Sequence, residues 1–294
     1  MAGQPYPAPL EAPHPKGAPS CQARTPRGGP MKHIAIVTGG SSGLGKEFVK
    51  LLDRGAGGPL QEIWLIARDT SKLDEVAATL KTPVKCLALD LTKSSSFAAL
   101  DSALAAEKDL NVQWLINCAG FGKFGPFTSI GAVANGNMVR LNCLAVVELC
   151  YSCLLYMHSG SRIINIASLA ALVPQPGLAV YSATKRFVLD FSYALDGELG
   201  SAGIHVSAVC PKFMDTHFLD KPGNAQTLKR VEWVGFEDPA VCAAKALRQS
   251  VAGKVCIITS PSVKVFNFFS KLLPTSAVRK AQSLVSDLVE QLGK

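Results

Sequence analysis

The chain has no uninterrupted apolar stretch of the roughly 18 residues that a membrane-spanning helix needs. The longest candidate, 141–157, carries Asn142 and Glu148 inside it and reads as a buried helix. Charge is also sparse, at 18% of residues, with no run of one sign and no aromatics interleaved with a basic cluster. The net charge of +8 therefore predicts no nucleic-acid surface; it suits a protein that binds a phosphorylated small molecule. No second C-x-x-C and no neighbouring histidine pair accompany Cys150 and Cys153, so no zinc site is expected. That pair reads either as a redox motif or as two buried thiols. Its mid-helix position, away from any helix N-terminus that would lower a thiol pKa, favours burial.

A cleavable secretory signal is missing as well, because prolines interrupt every attempt at an apolar stretch near the start. Nine cysteines, an odd count, with no such signal predict a reducing compartment, the cytoplasm. Cys86, Cys118, Cys143, Cys210 and Cys256 sit in apolar segments and are expected to pack as small hydrophobes. With 48% hydrophobic residues, the chain as a whole is not disordered.

Residues 1–30 are the exception. Eight of the eighteen prolines fall there with no hydrophobic period, so a disordered tail is expected, and the ordered domain, 31–294, begins at Met31. Beyond it, strand and helix patterns alternate. Short apolar runs at 33–38, 63–67, 84–89, 112–117, 162–167, 204–210 and 254–259 have the look of strands buried on both faces. Helical spacing fills the gaps at 44–52, 71–80 (with Ser71 as N-cap), 94–106, 134–157 and 180–199. The pattern predicts an α/β fold: a single Rossmann-type domain with a doubly wound parallel sheet of about seven strands and helices on both faces.

The first strand–helix junction reads Thr38-Gly39-Gly40-Ser41-Ser42-Gly43-Leu44-Gly45. Gly39, Gly43 and Gly45 allow a sharp turn, close approach of a ligand and close helix packing, and the helix N-terminus then holds a pyrophosphate. The spacing differs from G-x-G-x-x-G, and a purely structural glycine turn is the other reading. At the end of the second strand the acid that accepts from an NAD ribose is missing. Arg68 stands there and would pair with a 2′-phosphate, favouring NADP over NAD. An ordinary exposed arginine is the alternative, and Asp69 keeps the NAD reading open.

Tyr181 and Lys185 lie one helical turn apart. A phenol ionises near 10, and bringing it to neutrality takes roughly 4 kcal/mol, which a close ammonium and the positive ring of a nicotinamide are expected to supply. Ser168, at the end of the fifth strand, is placed to donate to a substrate carbonyl.

Thr38-Gly-x-x-x-Gly-x-Gly45, Asn117-Cys-Ala-Gly120, Ser168 and Tyr181-x-x-x-Lys185, in this order and spacing, resemble the short-chain dehydrogenase/reductase family over about 31–260. The resemblance implies hydride transfer between a nicotinamide cofactor and an alcohol or carbonyl. By it, Tyr181 is the general acid/base, Lys185 binds the ribose and modulates Tyr181, and Ser168 orients the substrate. Asn142 holds a water that links the lysine to solvent. Cofactor contacts are implied for the turn Thr38, Gly39, Ser41, Ser42, Gly43, Leu44 and Gly45. They are also implied for Arg68; for Asp90 (through its side chain) and Leu91; for Asn117, Ala119 and Gly120; for Tyr181 and Lys185; and for Thr216 at the nicotinamide carboxamide. Many members have Pro-Gly after the sixth strand, where this chain has Pro211-Lys212. Pairing of the helices near 134–157 and 178–200 into a homodimer or homotetramer is implied too.

The resulting expectation is an NADP-dependent oxidoreductase interconverting a secondary alcohol and a ketone or aldehyde; a non-catalytic dinucleotide-binding sensor or scaffold is the alternative. A substrate loop is expected at 211–236. Phe213, Phe218, Trp233 and Phe236 read as its apolar wall or as packing for a short helix, and His217 as a loop residue. His205 reads as structural. The apolar run 263–273 reads as docked on the core or an interface, with membrane contact the less favoured reading.

Overall fold

The structure is a computed structural model, and it describes residues 31–214 and 235–272. The tail 1–30, the residues after 272, and Thr216, His217, Phe218 and Trp233 of the expected substrate loop lie outside the described residues.

All seven expected strands form: β1 (Lys32–Thr38), β2 (Glu62–Ala67), β3 (Val84–Ala88), β4 (Leu110–Asn117), β5 (Arg162–Ile166), β6 (His205–Cys210) and β7 (Cys256–Ile258). They make one parallel sheet in the order β3-β2-β1-β4-β5-β6-β7. The period of two along each strand sorts its side chains between two cores. Ile34, Ile36, Trp64 and Ile66 face one side, and Ala35, Val37, Ile63 and Leu65 the other. The first side is covered by α3 (Ser94–Ala105), α6 (Ala145–Leu154) and α7 (Ala179–Leu199). On the second lie α1 (Gly43–Asp53), α2 (Thr70–Ala77) and α8 (Pro239–Val251). Each large side chain fully buried in these cores contributes about 1.5–3 kcal/mol. The final described helix, α9 (Pro261–Leu272), follows β7.

The strand order reverses between β1 and β4, where Thr38 pairs with Asn117 at the carboxyl ends. In an open parallel sheet this is where the connecting loops diverge and leave a crevice. The motif residues cluster around that point.

Two expectations about local structure are corrected. The helix expected at 71–80 starts at Thr70, and its N-cap is Asp69 rather than Ser71. The Lys72 N–H donates to Asp69 Oδ1 at 3.3 Å, while Ser71 lies inside the first turn. The long helix expected at 134–157 is not continuous α-helix. Short α4 (Phe127–Ile130) precedes α5 (Ala132–Val139), then a π-helical turn at Arg140–Leu144, then α6. The wider turn centres on Asn142, whose amide bonds to groups outside the helix. Ala132–Leu154 is long and apolar enough to cross a membrane by length and composition; here α6 packs against α3 and β4. The cysteines pack as expected: Cys210 lies in the core, half-buried Cys86, Cys118 and Cys256 pack against the core, Cys143 is also half-buried, and Cys150, Cys153 and Cys242 are buried. Burial pushes the Cys150 thiol up to about 12 and the Cys153 thiol well above its ordinary value, as inert core thiols require.

Candidate active site

The glycine turn is built by close approach. Gly39 and Gly43 have φ of +68° and +49°, open to glycine and costly for other residues. A Cβ at Gly39 would stand 3.0 Å from the Ala119 nitrogen, and one at Gly45 would run into the Gly39 carbonyl oxygen. Thr38 locks the turn to β4: its Oγ1 accepts from the N–H groups of Cys118 and Ala119, both at 3.0 Å. Ser42 is the N-cap of α1 but makes no side-chain cap bond, and the first turn of α1 holds no acidic residue. The leading N–H groups of α1 thus face outward without a competing acceptor from Ser42. Ser41 and Ser42 stand at the rim, while the Leu44 side chain is buried in the core under α1. This cradle fits the pyrophosphate of a dinucleotide: donors, a helix N-terminus and no side chain in the way.

Arg68 is exposed just past β2. Asp69 spends its carboxylate on capping α2 and lies 3.8 Å from Lys72 Nζ. Asp90 follows β3. Its Oδ1 accepts from the Thr92 hydroxyl at 2.7 Å and the Thr92 N–H at 3.1 Å. Those bonds hold its carboxyl below the ordinary range, helped by the charges of Lys93 and Arg68. The Leu91 side chain belongs to the core, so only its backbone faces the crevice edge.

At the end of β4 the Asn117 side chain turns into the protein. Its Nδ2 donates to Asn165 Oδ1 at 2.8 Å; Asn165 Nδ2 donates to Ser192 Oγ at 3.0 Å, and Ser192 to the Val188 carbonyl at 2.7 Å. This buried chain of amides ties β4 to β5 and α7, leaving Ala119 and Gly120 to border the crevice. A Cβ at Gly120 would lie 3.1 Å from Asn142 Oδ1 and 3.4 Å from Lys185 Nζ. An alanine there would require the Asn142 side chain to give by a few tenths of an ångström.

Asn142, Ser168, Tyr181 and Lys185 meet beside that point, all buried. Asn142 Oδ1 accepts from the Phe121 N–H at 3.1 Å, and its Nδ2 donates to the Phe121 carbonyl at 2.9 Å and to Thr184 Oγ1 at 3.1 Å. The Ala170 N–H donates to Ser168 Oγ at 3.1 Å, leaving the hydroxyl hydrogen for its bond with the Tyr181 phenol. Lys185 Nζ donates to the Ile166 carbonyl at 2.8 Å and lies 5.8 Å from the Tyr181 ring centroid. Burial pulls Lys185 down to about 8, opposed by the nearby thiols of Cys118, Cys143 and Cys210. Burial pushes Tyr181 up to about 12, and the Ser168 bond pulls the other way. Within the protein alone, desolvation therefore outweighs the Ser168 bond and the phenol stays high. Thr184 and Phe121, which fix Asn142, were not among the expected site residues; a hydroxyl between Tyr181 and Lys185 was the available signal.

An apolar wall stands against Tyr181. Phe124 meets it edge to face at 5.8 Å and meets Phe213 at 6.4 Å, with Met138, Leu178 and Ala170 in the same cluster. Phe213 thus serves the wall, while Phe236 is exposed. Lys212, in place of glycine, donates its N–H to Glu237 Oε2 at 3.2 Å; Glu237 also accepts from Thr259 Oγ1 at 2.7 Å. The Glu237 N–H donates to the Phe213 carbonyl at 2.8 Å, so one residue staples both described ends of the 211–236 segment.

The sequence matches a family model described as short chain dehydrogenase over residues 33–226. It is 30% identical over 187 residues to an uncharacterized oxidoreductase of Staphylococcus epidermidis, covering 62% of this chain and 78% of that one. It is 34% identical over 206 residues to the very-long-chain 3-oxoacyl-CoA reductase of Macaca fascicularis, covering 64% of each. The fold is similar to a short-chain dehydrogenase from Sphingobium yanoikuyae in complex with NADPH: TM-score 0.68, 28% identity, 86% of this chain and 95% of that one.

Proposed function

Because the chain belongs to the short-chain dehydrogenase/reductase family, nicotinamide-dependent oxidoreductases of CH–OH groups, we propose that it is an NADP-dependent reductase of apolar ketones or aldehydes, acting through Tyr181. The observation that carries this reading is the Tyr181 phenol, bonded to Ser168 and one turn from Lys185, beside a glycine cradle at the switch point of the sheet.

When bound, the nicotinamide supplies the hydride. The glycine turn and the N-terminus of α1 hold the pyrophosphate, and Lys185 takes the ribose hydroxyls. Ser168 turns its hydroxyl hydrogen from the Tyr181 phenol to the carbonyl oxygen, and Tyr181 gives its proton to that oxygen as negative charge develops there. Asn142 stands next to Lys185 at the inner end of the proton path. Gly120, Ala119, the Asp90 side chain and the backbones of Asn117 and Leu91 border the rest of the cofactor crevice.

Arg68 is the element for NADP: its exposed guanidinium meets a 2′-phosphate, while Asp69 is occupied by its cap. Arg68→Ala should raise KM for NADPH roughly ten- to a hundredfold, the worth of one charge-assisted contact, and leave KM for NADH nearly unchanged. Equal effects on both cofactors would remove this role.

The aromatic wall selects an apolar group beside the carbonyl, and 3-oxoacyl thioesters belong in the panel given the macaque relative. Phe124→Ala should raise KM for such substrates by about tenfold while KM for NADPH stays within about twofold. An unchanged substrate KM would place the wall outside the substrate site. The reading extends to a cytoplasmic homo-oligomer: the eight described cysteines form no disulfide with one another, and Val139, Leu144, Tyr151, Leu155 and Phe187 expose apolar surface on α5 to α7 and the π turn.

A further inference from the structure

Between Tyr181 and Lys185 stands a buried hydroxyl with no counterpart in the expected machinery. Thr184 Oγ1 donates to the Tyr181 carbonyl at 2.7 Å, and the same oxygen accepts from Asn142 Nδ2 at 3.1 Å. Thr184 itself is 3% exposed and Asn142 is fully buried, so no bulk water stands ready to replace either bond. Since the single hydroxyl hydrogen is spent on the Tyr181 carbonyl, Oγ1 has only a lone pair to offer, and that selects the NH2 end of the Asn142 amide. With the Phe121 N–H and carbonyl taking the other positions, the amide is held at three points. Its Oδ1 is thereby turned to the gap at Gly120, where Lys185 Nζ is also found.

We propose that Thr184 is a positioning residue for the reaction: it couples the π-helical turn at Arg140–Leu144 to the Tyr181–Lys185 turn of α7 by holding the Asn142 amide. The bond spans 42 residues of sequence and joins two elements that also share the weaker Cys143 Sγ–H to Thr184 carbonyl contact at 3.7 Å. Removing the acceptor leaves one Asn142 N–H buried without a partner. The amide is then free to shift off the lysine, with the cofactor cradle untouched. This inference rests on the reading of Tyr181 and Lys185 given above.

Three variants test it. Thr184→Val keeps the branched shape and loses the hydroxyl; Thr184→Ser keeps the hydroxyl and loses the methyl; Tyr181→Phe reports on the underlying reading. Thr184→Val should lower kcat by about tenfold or more, with the NADPH dissociation constant within about twofold of the parent and Thr184→Ser close to the parent. A Thr184→Val enzyme with parental kcat, alongside an inactive Tyr181→Phe, overturns the role of Thr184 alone. Loss in Thr184→Ser with retention in Thr184→Val also overturns it, since the methyl packing is then what matters. An active Tyr181→Phe enzyme overturns the reading on which the inference stands.

Discussion

Tyr181→Phe is expected to lower turnover by roughly 10²–10⁴-fold, the usual worth of a positioned general acid, with NADPH binding unchanged. Phenylalanine fills the same space, so the edge-to-face contact with Phe124 and the burial of the ring persist. What disappears is the hydroxyl that bonds Ser168 and gives up a proton. Steady-state rates together with a cofactor fluorescence titration separate the two effects; an equal loss of cofactor affinity would show that the variant had damaged the crevice instead. The direction of reaction has its own signature. With the phenol pushed up to about 12, Tyr181 is protonated across the physiological range and ready to act as an acid. Lys185, pulled down to about 8, keeps its charge below that value and loses it above. The rate of carbonyl reduction should therefore hold steady at neutral pH and fall as pH rises through about 8. A rate that climbs across the same interval would contradict this assignment of the two groups.

The second large effect is expected at Gly45. A single methyl there meets the Gly39 carbonyl oxygen, a backbone atom that cannot swing aside, so the turn must open. Gly45→Ala should weaken NADPH binding by about a hundredfold or more, equivalent to roughly 2.7 kcal/mol, as the turn and the N-terminus of α1 lose their common aim. Overpacking should also destabilise the fold by about 1–3 kcal/mol. The matching control is Gly197→Ala: this glycine lies inside α7, and a Cβ would meet nothing within 4 Å. There the same chemical change should stabilise slightly, by about 0.5–1 kcal/mol. Isothermal titration with NADPH and thermal melts on both variants distinguish a blocked cradle from a general loss of stability.

The contrast between these two glycines shows which parts of the structure were legible beforehand. Runs such as Ile34–Val37 and Ile63–Ile66 are apolar at every position because both faces of the sheet are covered, and that signal is local. The turn at 38–45 was legible for the same reason: its glycines stand where the chain reverses from strand to helix. Contacts between distant residues were not. Nothing near Asn142 announces a π-helical turn; the turn exists because Phe121 and Thr184, 21 residues before it and 42 after it, bond the Asn142 amide. The inward commitment of Asn117 likewise depends on Asn165 and Ser192. The Tyr181 phenol illustrates a further limit. The lysine one turn away is plain in the sequence, but the depth of burial that raises the phenol is set by Phe124, Leu178 and Ala170 from three separate segments.

The most direct measurement is nicotinamide oxidation by the purified protein against a panel of apolar ketones and 3-oxoacyl thioesters, with NADPH and NADH side by side. Consumption of NADPH in step with alcohol formation, faster than with NADH and abolished by Tyr181→Phe, is the result expected. Failure to bind either nucleotide, or turnover that survives in Tyr181→Phe, would contradict the assignment of this crevice as a Tyr181-driven reductase site.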